Sequence, residues 1–220
     1  MKLKVCGMKY RDNMEATAAL QPDYLGFIFY EKSPRNFTGD IPQINDTIKK
    51  TGVFVDAPIE FIIEKVKQYN FKAVQLHGSE TSEYCKKLQI ELININKLDR
   101  FHKTIEIFKV FSIKDEFDFR LLEPYENIVD YFLFDTKGKE KGGNGYTFDW
   151  QVLNNYNSTT PFILSGGIGV QEVDKVKAIL RTELPIYGID INSKFEDKPG
   201  LKNINKLKTF LRELTSLENR

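Results

Sequence analysis

The chain has 220 residues, 41% hydrophobic and 29% charged, with a formal net charge of +1 and two cysteines. That length can bury a large core in one domain, and so balanced a charge leaves no global field to recruit nucleic acid or an anionic membrane. No apolar run reaches membrane-spanning length, Cys6 and Cys85 lack zinc-type spacing, and the N-terminus enters a strand pattern at once instead of a signal peptide. A cytoplasmic, metal-free protein is the expectation.

In chain order, eight short apolar runs read as strands, at 3–6, 24–29, 52–55, 73–77, 105–113, 130–134, 161–165 and 186–190. Helical periodicity lies between them. Ile59, Ile62, Ile63 and Val66 mark one apolar face, Val173, Val176, Ile179 and Leu180 another, and Ile204, Leu207, Phe210 and Leu211 a third. Residues 89–104 fit the repeat poorly. Leu92-Ile93-Asn94-Ile95 passes for a strand, but an extended helix or an insertion is the expectation. Strands alternating with amphipathic helices imply a parallel sheet with right-handed crossovers. Eight units favour closure into a single (β/α)8 TIM barrel over 1–220, with an open doubly wound sheet as the alternative.

Several strand ends carry polar or reactive groups, which is where catalytic residues of such a barrel collect. Cys6 closes the first strand and is either a reactive thiol or a small buried hydrophobe. Ser33-Pro34-Arg35 follows the second strand; it offers a guanidinium fork to a carboxylate, or simply starts a surface turn. His77 closes the fourth strand on the same face as Ala73 and Gln75, while His102 falls in a polar stretch and is expected in solvent. Asp135 follows the sixth strand, where an aspartate is either an acid or only a helix N-cap. Gly142-Gly143-Asn144-Gly145, after a polar run from 137 to 141, is either a lid or a long exposed loop.

The seventh strand breaks at Ser165-Gly166-Gly167-Ile168-Gly169 before a helix. Glycine permits positive φ and close approach of amide groups, and a helix start adds a positive dipole end. The turn therefore suits a phosphate, although strand-to-helix turns also take glycine for conformation alone. The eighth strand ends at Asp190, then polar Asn192-Ser193. Two neighbouring late loops able to hold an anion point to phosphate bound by the loops after strands seven and eight.

Lys4-Val5-Cys6-Gly7-Met8, Gly26-Phe27-Ile28-Phe29, Ser33-Pro34-Arg35, Gly52-Val53-Phe54-Val55 and Val74-Gln75-Leu76-His77-Gly78 form one ordered set of motifs. It continues with Phe134-Asp135-Thr136, Gly142-Gly143-Asn144-Gly145, Phe148-Asp149-Trp150, Leu164-Ser165-Gly166-Gly167-Ile168 and Gly188-Ile189-Asp190, and ends with Glu196 and Pro199-Gly200. In this order, and over nearly the whole chain, the set closely resembles the phosphoribosylanthranilate isomerase family of tryptophan biosynthesis. The resemblance implies an Amadori rearrangement on a (β/α)8 barrel. N-(5-phosphoribosyl)anthranilate opens its furanose ring and becomes 1-(2-carboxyphenylamino)-1-deoxyribulose 5-phosphate. It implies Asp135 as general acid, Cys6 as general base and Arg35 on the anthranilate carboxylate. Gly166, Gly167 and the loop around Ser193 would hold the phosphate, with His77 and Asp190 also in the substrate site.

That chemistry asks Asp135 to keep a proton near neutrality, through burial or a nearby carboxylate such as Asp190, and asks for cations or dipoles that favour the Cys6 thiolate. The resemblance implies no metal or organic cofactor, a small phosphorylated substrate as partner, neither nucleic acid nor membrane, and a monomer or homodimer. The chain departs from the family at Asn192-Ser193-Lys194, where Ser-Ser-Gly is usual, and at Asn144, where threonine is usual. Lys194 either adds a salt-sensitive attraction to the phosphate or points into solvent. The nearest alternative is a related sugar-phosphate isomerase of histidine biosynthesis, whose family has aspartate in place of Cys6. Indole-glycerol-phosphate synthase fits less well, since its general-acid lysine has no evident counterpart. A non-catalytic phosphate-binding barrel is the alternative outside the enzymes.

Overall fold

Eight parallel strands pair in chain order and the eighth returns to the first, so the sheet closes on itself. The computed structural model describes residues 1–97, 104–114, 116–136 and 149–216. Its strands are β1 (Lys2–Val5), β2 (Tyr24–Phe29), β3 (Lys49–Phe54), β4 (Ala73–Leu76), β5 (Glu106–Ile113), β6 (Tyr131–Thr136), β7 (Phe162–Leu164) and β8 (Ile186–Ile191). Helices α1 (Arg11–Ala18), α2 (Ile59–Tyr69), α3 (Ser82–Lys97) and α4 (Val173–Ile179) lie between them in sequence, and α5 (Ile204–Thr215) follows β8. After β8 comes a small antiparallel pair, β9 (Glu196–Lys198) and β10 (Leu201–Lys202). Among the described residues no helix is long and apolar enough to cross a membrane.

Closure excludes the open sheet, and the eightfold repeat holds with departures at particular slots. Residues 30–48, between β2 and β3, form no helix; Pro34, Gly39 and Pro42 interrupt that stretch. After β5 and β6 the described residues supply only 3-10 turns, at Phe119–Tyr125 and Trp150–Asn155. Residues 92–95 belong to α3. Cys85, Leu88 and Leu92 are buried there at i, i+3, i+7 spacing, whereas Ile90 and Ile93 face out, a period that suits a helix and not a strand. β3 starts three residues earlier than its apolar run because parallel pairing with β2 extends from Tyr24↔Lys49 to Phe29↔Phe54. Asp135 lies within β6, paired with Ser112, whereas Cys6 and His77 stand one residue beyond β1 and β4.

Side-chain alternation then sorts each strand into an outer and an inner face. The outer residues join the helices in a large apolar cluster that includes Val5, Phe54, Leu76, Phe134, Ile189, Leu207 and Phe210. The inner residues Tyr24, Ala73, Phe108, Val110, Leu133 and Ile163 form a separate buried cluster that fills the barrel. Tyr131 and Tyr187 stack against it with ring centroids 3.9 Å apart. At the floor, the Tyr24 hydroxyl donates to Glu106 Oε2 at 2.9 Å and Lys49 Nζ donates to Glu106 Oε1 at 2.5 Å. Higher up the same inner face the side chains turn polar, at Lys4, Gln75, Asp135 and Asp190, all buried. The site begins where the apolar filling stops.

Candidate active site

Lys4 of β1 and Cys6, one residue past its end, lie two residues apart on one face at the barrel mouth. Cys6 is buried, and its backbone N–H donates to Ile191 O at 2.9 Å, which stitches the turn to the end of β8. Gly26 of β2 lies alongside; a Cβ there would come within 2.8 Å of the Cys6 sulfur. Lys4 Nζ donates to Asp190 Oδ1 at 2.8 Å, with both side chains almost wholly withdrawn from solvent.

These charges set the state of the thiol. Burial pushes Cys6 above its ordinary value, Lys4 and Lys202 pull it down, and Asp190 adds to the upward push. The cations required of a thiolate site are therefore present, but in this structure burial outweighs them. Asp190 is pushed up as well, first by burial and further by Asp135, against Lys4 and His77. Burial also works against the charge of Lys4, yet Asp190 and Cys6 hold it above the usual lysine value.

From β6 comes Asp135. Its Oδ1 accepts the Thr136 N–H at 2.9 Å, and its Oδ2 lies 3.4 Å from His77 Nε2. Gln75 Nε2 sits 3.1 Å from His77 Nδ1. His77 thus contacts Asp135 directly, besides lining the site.

The turn after β7 has the conformation that its glycines suggest. Gly166 and Gly167 take φ of +88° and +66°. A Cβ on Gly166 would collide with the Thr136 backbone and side chain, so only glycine fits against β6 there. Neither glycine amide has an intramolecular partner among the described residues. The helix start lies further on than its sequence suggests. A 3-10 turn, Val170–Glu172, precedes α4, and Glu172 Oε2 accepts the Gly169 N–H at 2.8 Å. That end is already capped by a carboxylate, so an anion would rest on the glycine amides and not on the helix terminus. Across the mouth, Ser193 opens a 3-10 turn ending at the buried Phe195.

Arg35 reaches the mouth on the loop after β2, but much of its fork is engaged. Nε lies 3.0 Å from both Glu196 oxygens and Nη2 donates to Oε2 at 2.6 Å. Among the described residues Nη1 has no partner.

Cys6, Arg35, His77, Asp135, Gly166, Gly167, Asp190 and Ser193 line one cavity, joined by Gln75 and Asn192. His102 and Gly142-Gly143-Asn144-Gly145 lie outside the described residues. Lys194 is exposed and borders a different surface cleft, beside Gly169, Glu172 and Asn203. Lys194→Gly is therefore expected to leave KM and its ionic-strength dependence within about twofold of the parent, as for an ordinary solvated lysine. A KM rise with a flattened salt dependence would instead place the ammonium on the phosphate.

Sequence reasoning quoted Lys4 and Gln75 without giving them a role, and passed over Lys202. The available signal was phase: Lys4 alternates in step with Cys6, and Gln75 with His77, the latter in a strand that is otherwise apolar.

A closed eight-stranded parallel barrel with a carboxylate, a thiol and two loop turns lining one cavity at its mouth defines the molecule as a TIM-barrel protein with a candidate active site. Residues 3–213 match the family model for N-(5'-phosphoribosyl)anthranilate (PRA) isomerase. The chain belongs to that family, whose members act in tryptophan biosynthesis. The protein of Parabacteroides distasonis named N-(5'-phosphoribosyl)anthranilate isomerase is 41% identical over 221 residues, spanning 97% of this chain and 93% of that one. The crystal structure of phosphoribosyl anthranilate isomerase from Thermotoga maritima superposes with a TM-score of 0.77 at 27% identity, covering 99% of this chain and all of that one. A further isomerase structure, solved with reduced 1-(o-carboxyphenylamino)-1-deoxyribulose 5-phosphate, gives a TM-score of 0.75 at 24% identity, covering 99% and 100%.

Proposed function

We propose that the cavity takes N-(5-phosphoribosyl)anthranilate and rearranges it to 1-(2-carboxyphenylamino)-1-deoxyribulose 5-phosphate, with Asp135 as general acid and Cys6 as general base. The supporting observation is convergence: an acid from β6 and a thiol after β1 share one cavity with the turns after β7 and β8. Asp135 gives its proton to the furanose ring oxygen while the anthranilate nitrogen pushes its lone pair towards C1. The C1–O bond breaks and an iminium forms. Cys6, as thiolate, removes the C2 proton, and those electrons form C1=C2 as the iminium pair returns to nitrogen. The resulting enolamine loses its O–H proton and gains one at C1, leaving the C2 ketone. The proton that Cys6 gained and the one that Asp135 gave must be exchanged before the next turnover.

Each neighbour has a part in this reading. Lys4 stabilises the thiolate, and His77, whose Nε2 lies 3.4 Å from Asp135 Oδ2, orients that carboxyl. The Gly166 and Gly167 amides and the Ser193 loop hold the phosphate, and Arg35 meets the anthranilate carboxylate along its Nη1 edge. Two free, buried cysteines accord with a reducing, cytoplasmic setting, in which we place the chain as a monomer or homodimer.

Turnover of freshly prepared N-(5-phosphoribosyl)anthranilate, followed as loss of anthranilate-type fluorescence, tests the reaction. Binding of the substrate with no turnover would overturn it in favour of a non-catalytic barrel. Arg35→Ala is expected to raise KM by about ten- to hundredfold while kcat changes little, because a charge-assisted contact to the carboxylate exists before and during reaction. The Ki of inorganic phosphate should stay within about twofold, since phosphate does not use that contact. If both constants worsen equally, the substitution has disturbed the loop and the carboxylate role is wrong.

A further inference from the structure

We infer that Glu196 is a positioning residue for substrate recognition: from the hairpin after β8 it grips the guanidinium of Arg35 and leaves a single edge of the fork for the substrate. This rests on the reading of Arg35 as the carboxylate contact. A free arginine presents five N–H donors on a long, mobile stem. Here Nε and Nη2 are bound to one carboxylate, and the Arg35 side chain is 13% exposed while that of Glu196 is 4% exposed. Among the described residues, that leaves the Nη1 end of the fork, with the second Nη2 hydrogen, for the cavity that Arg35 lines.

Glu196 can aim Arg35 because it is itself held from behind. Its Oε1 accepts Lys202 Nζ at 2.7 Å and the Gly200 N–H at 3.0 Å. Gly200 takes φ of +85°, and in that conformation its amide turns back on Glu196. Lys202 is anchored in turn. Its Nζ donates to Asn192 Oδ1 at 2.6 Å, and its backbone N–H and C=O are both paired to the side chain of Asn13 on α1, at 2.7 and 2.8 Å. The chain of support therefore runs from a helix, through a buried lysine and a carboxylate, to the arginine. Arg35 also packs against the base's own turn, since a Cβ on Gly7 would come within 2.9 Å of Arg35 Cδ.

Charge favours the same arrangement. One carboxylate serves both Arg35 and Lys202, although burial pushes the Lys202 ammonium below the ordinary lysine value. The bonds from Arg35 and Lys202 hold Glu196 below the ordinary glutamate value despite its burial, which keeps it ionised. A residue that only fixes an arginine already poised for substrate changes binding, not the chemical step.

The test is a double-substitution cycle on the intact chain with N-(5-phosphoribosyl)anthranilate as substrate. Glu196→Gln is expected to raise KM by about tenfold or more with kcat within about threefold, and to leave the Ki of inorganic phosphate within about twofold. Added to Arg35→Ala, it should change KM by less than about twofold, because the group that it positions has gone. Glu196→Asp, which keeps the charge on a shorter stem, should recover part of the loss, and its own cycle with Arg35→Ala decides the matter if Glu196→Gln does not fold. If Glu196→Gln multiplies KM equally in both backgrounds, or weakens phosphate in parallel, Glu196 merely holds the hairpin and the inference falls. If Arg35→Ala leaves KM unchanged, the carboxylate reading fails first and takes the positioning role with it.

Discussion

Replacing Asp135 with asparagine is expected to lower kcat by about 10²–10⁴-fold while KM moves by less than about threefold. Asparagine keeps the size of the side chain, and its carbonyl still accepts the Thr136 N–H now held at 2.9 Å. What it lacks is an acidic proton, so the ring oxygen would have to leave unassisted. Asp190 is a second buried carboxylate lining the cavity, and it and Asp135 are separable by their partners. Asp190 is bound to Lys4, so Asp190→Asn strands a buried ammonium and should cost about 3–5 kcal/mol of stability. Asp135→Asn breaks no such pair. Steady-state kinetics with thermal unfolding of both variants distinguishes them. Near-normal turnover by Asp135→Asn removes Asp135 from the acid role.

Cys6→Ala is expected to be comparably inactive, again by about 10²-fold or more in kcat, because it removes the base without touching the Arg35 or glycine contacts. The state of the thiol is measurable separately, from the rate of iodoacetamide inactivation against pH. Only the thiolate reacts. Burial holds the Cys6 thiol up, so the thiolate fraction falls away below that raised value, and half-maximal inactivation should lie above about pH 8.5, the unperturbed cysteine range. Half-maximal inactivation at lower pH would mean that Lys4 and Lys202 prevail over burial. Protection by inorganic phosphate would add that the thiol and the glycine turn share one space.

The fold was legible because each strand is short, apolar and closed by polar or glycine residues, and because α2, α4 and α5 show a clean helical period. Where the sequence misled, local pattern competed with tertiary pairing. Lys49 and Lys50 look like loop residues, yet pairing with β2 draws them into β3. Leu92 to Ile95 pass for a strand, but they continue α3 as the extended helix expected there, and the burial of Leu88 and Leu92 marks its inner face. The candidate site was legible as a set of residues, all eight of which line one cavity. Its pairings were not. Arg35 gives no sign in sequence that Glu196, 161 positions later, occupies half its fork, and nothing near Cys6 announces that Lys4 is bound to Asp190. Contacts between residues that far apart depend on closure of the barrel, which no window along the chain records.

Closure also dictates when the molecule can become itself. Lys4 and Asp190 are separated by 186 positions, and every residue of β1 pairs with β8. On a ribosome adding about 5–20 residues per second, the first strand waits for roughly ten to forty seconds before its partner is made. Throughout that interval the nascent ammonium has no carboxylate, the thiol has no pocket, and two strand edges of the half-made sheet stay open to pairing with other chains. The last sixth of the polypeptide therefore does more than finish the barrel: its emergence turns a sticky, reactive intermediate into a closed and chemically competent one.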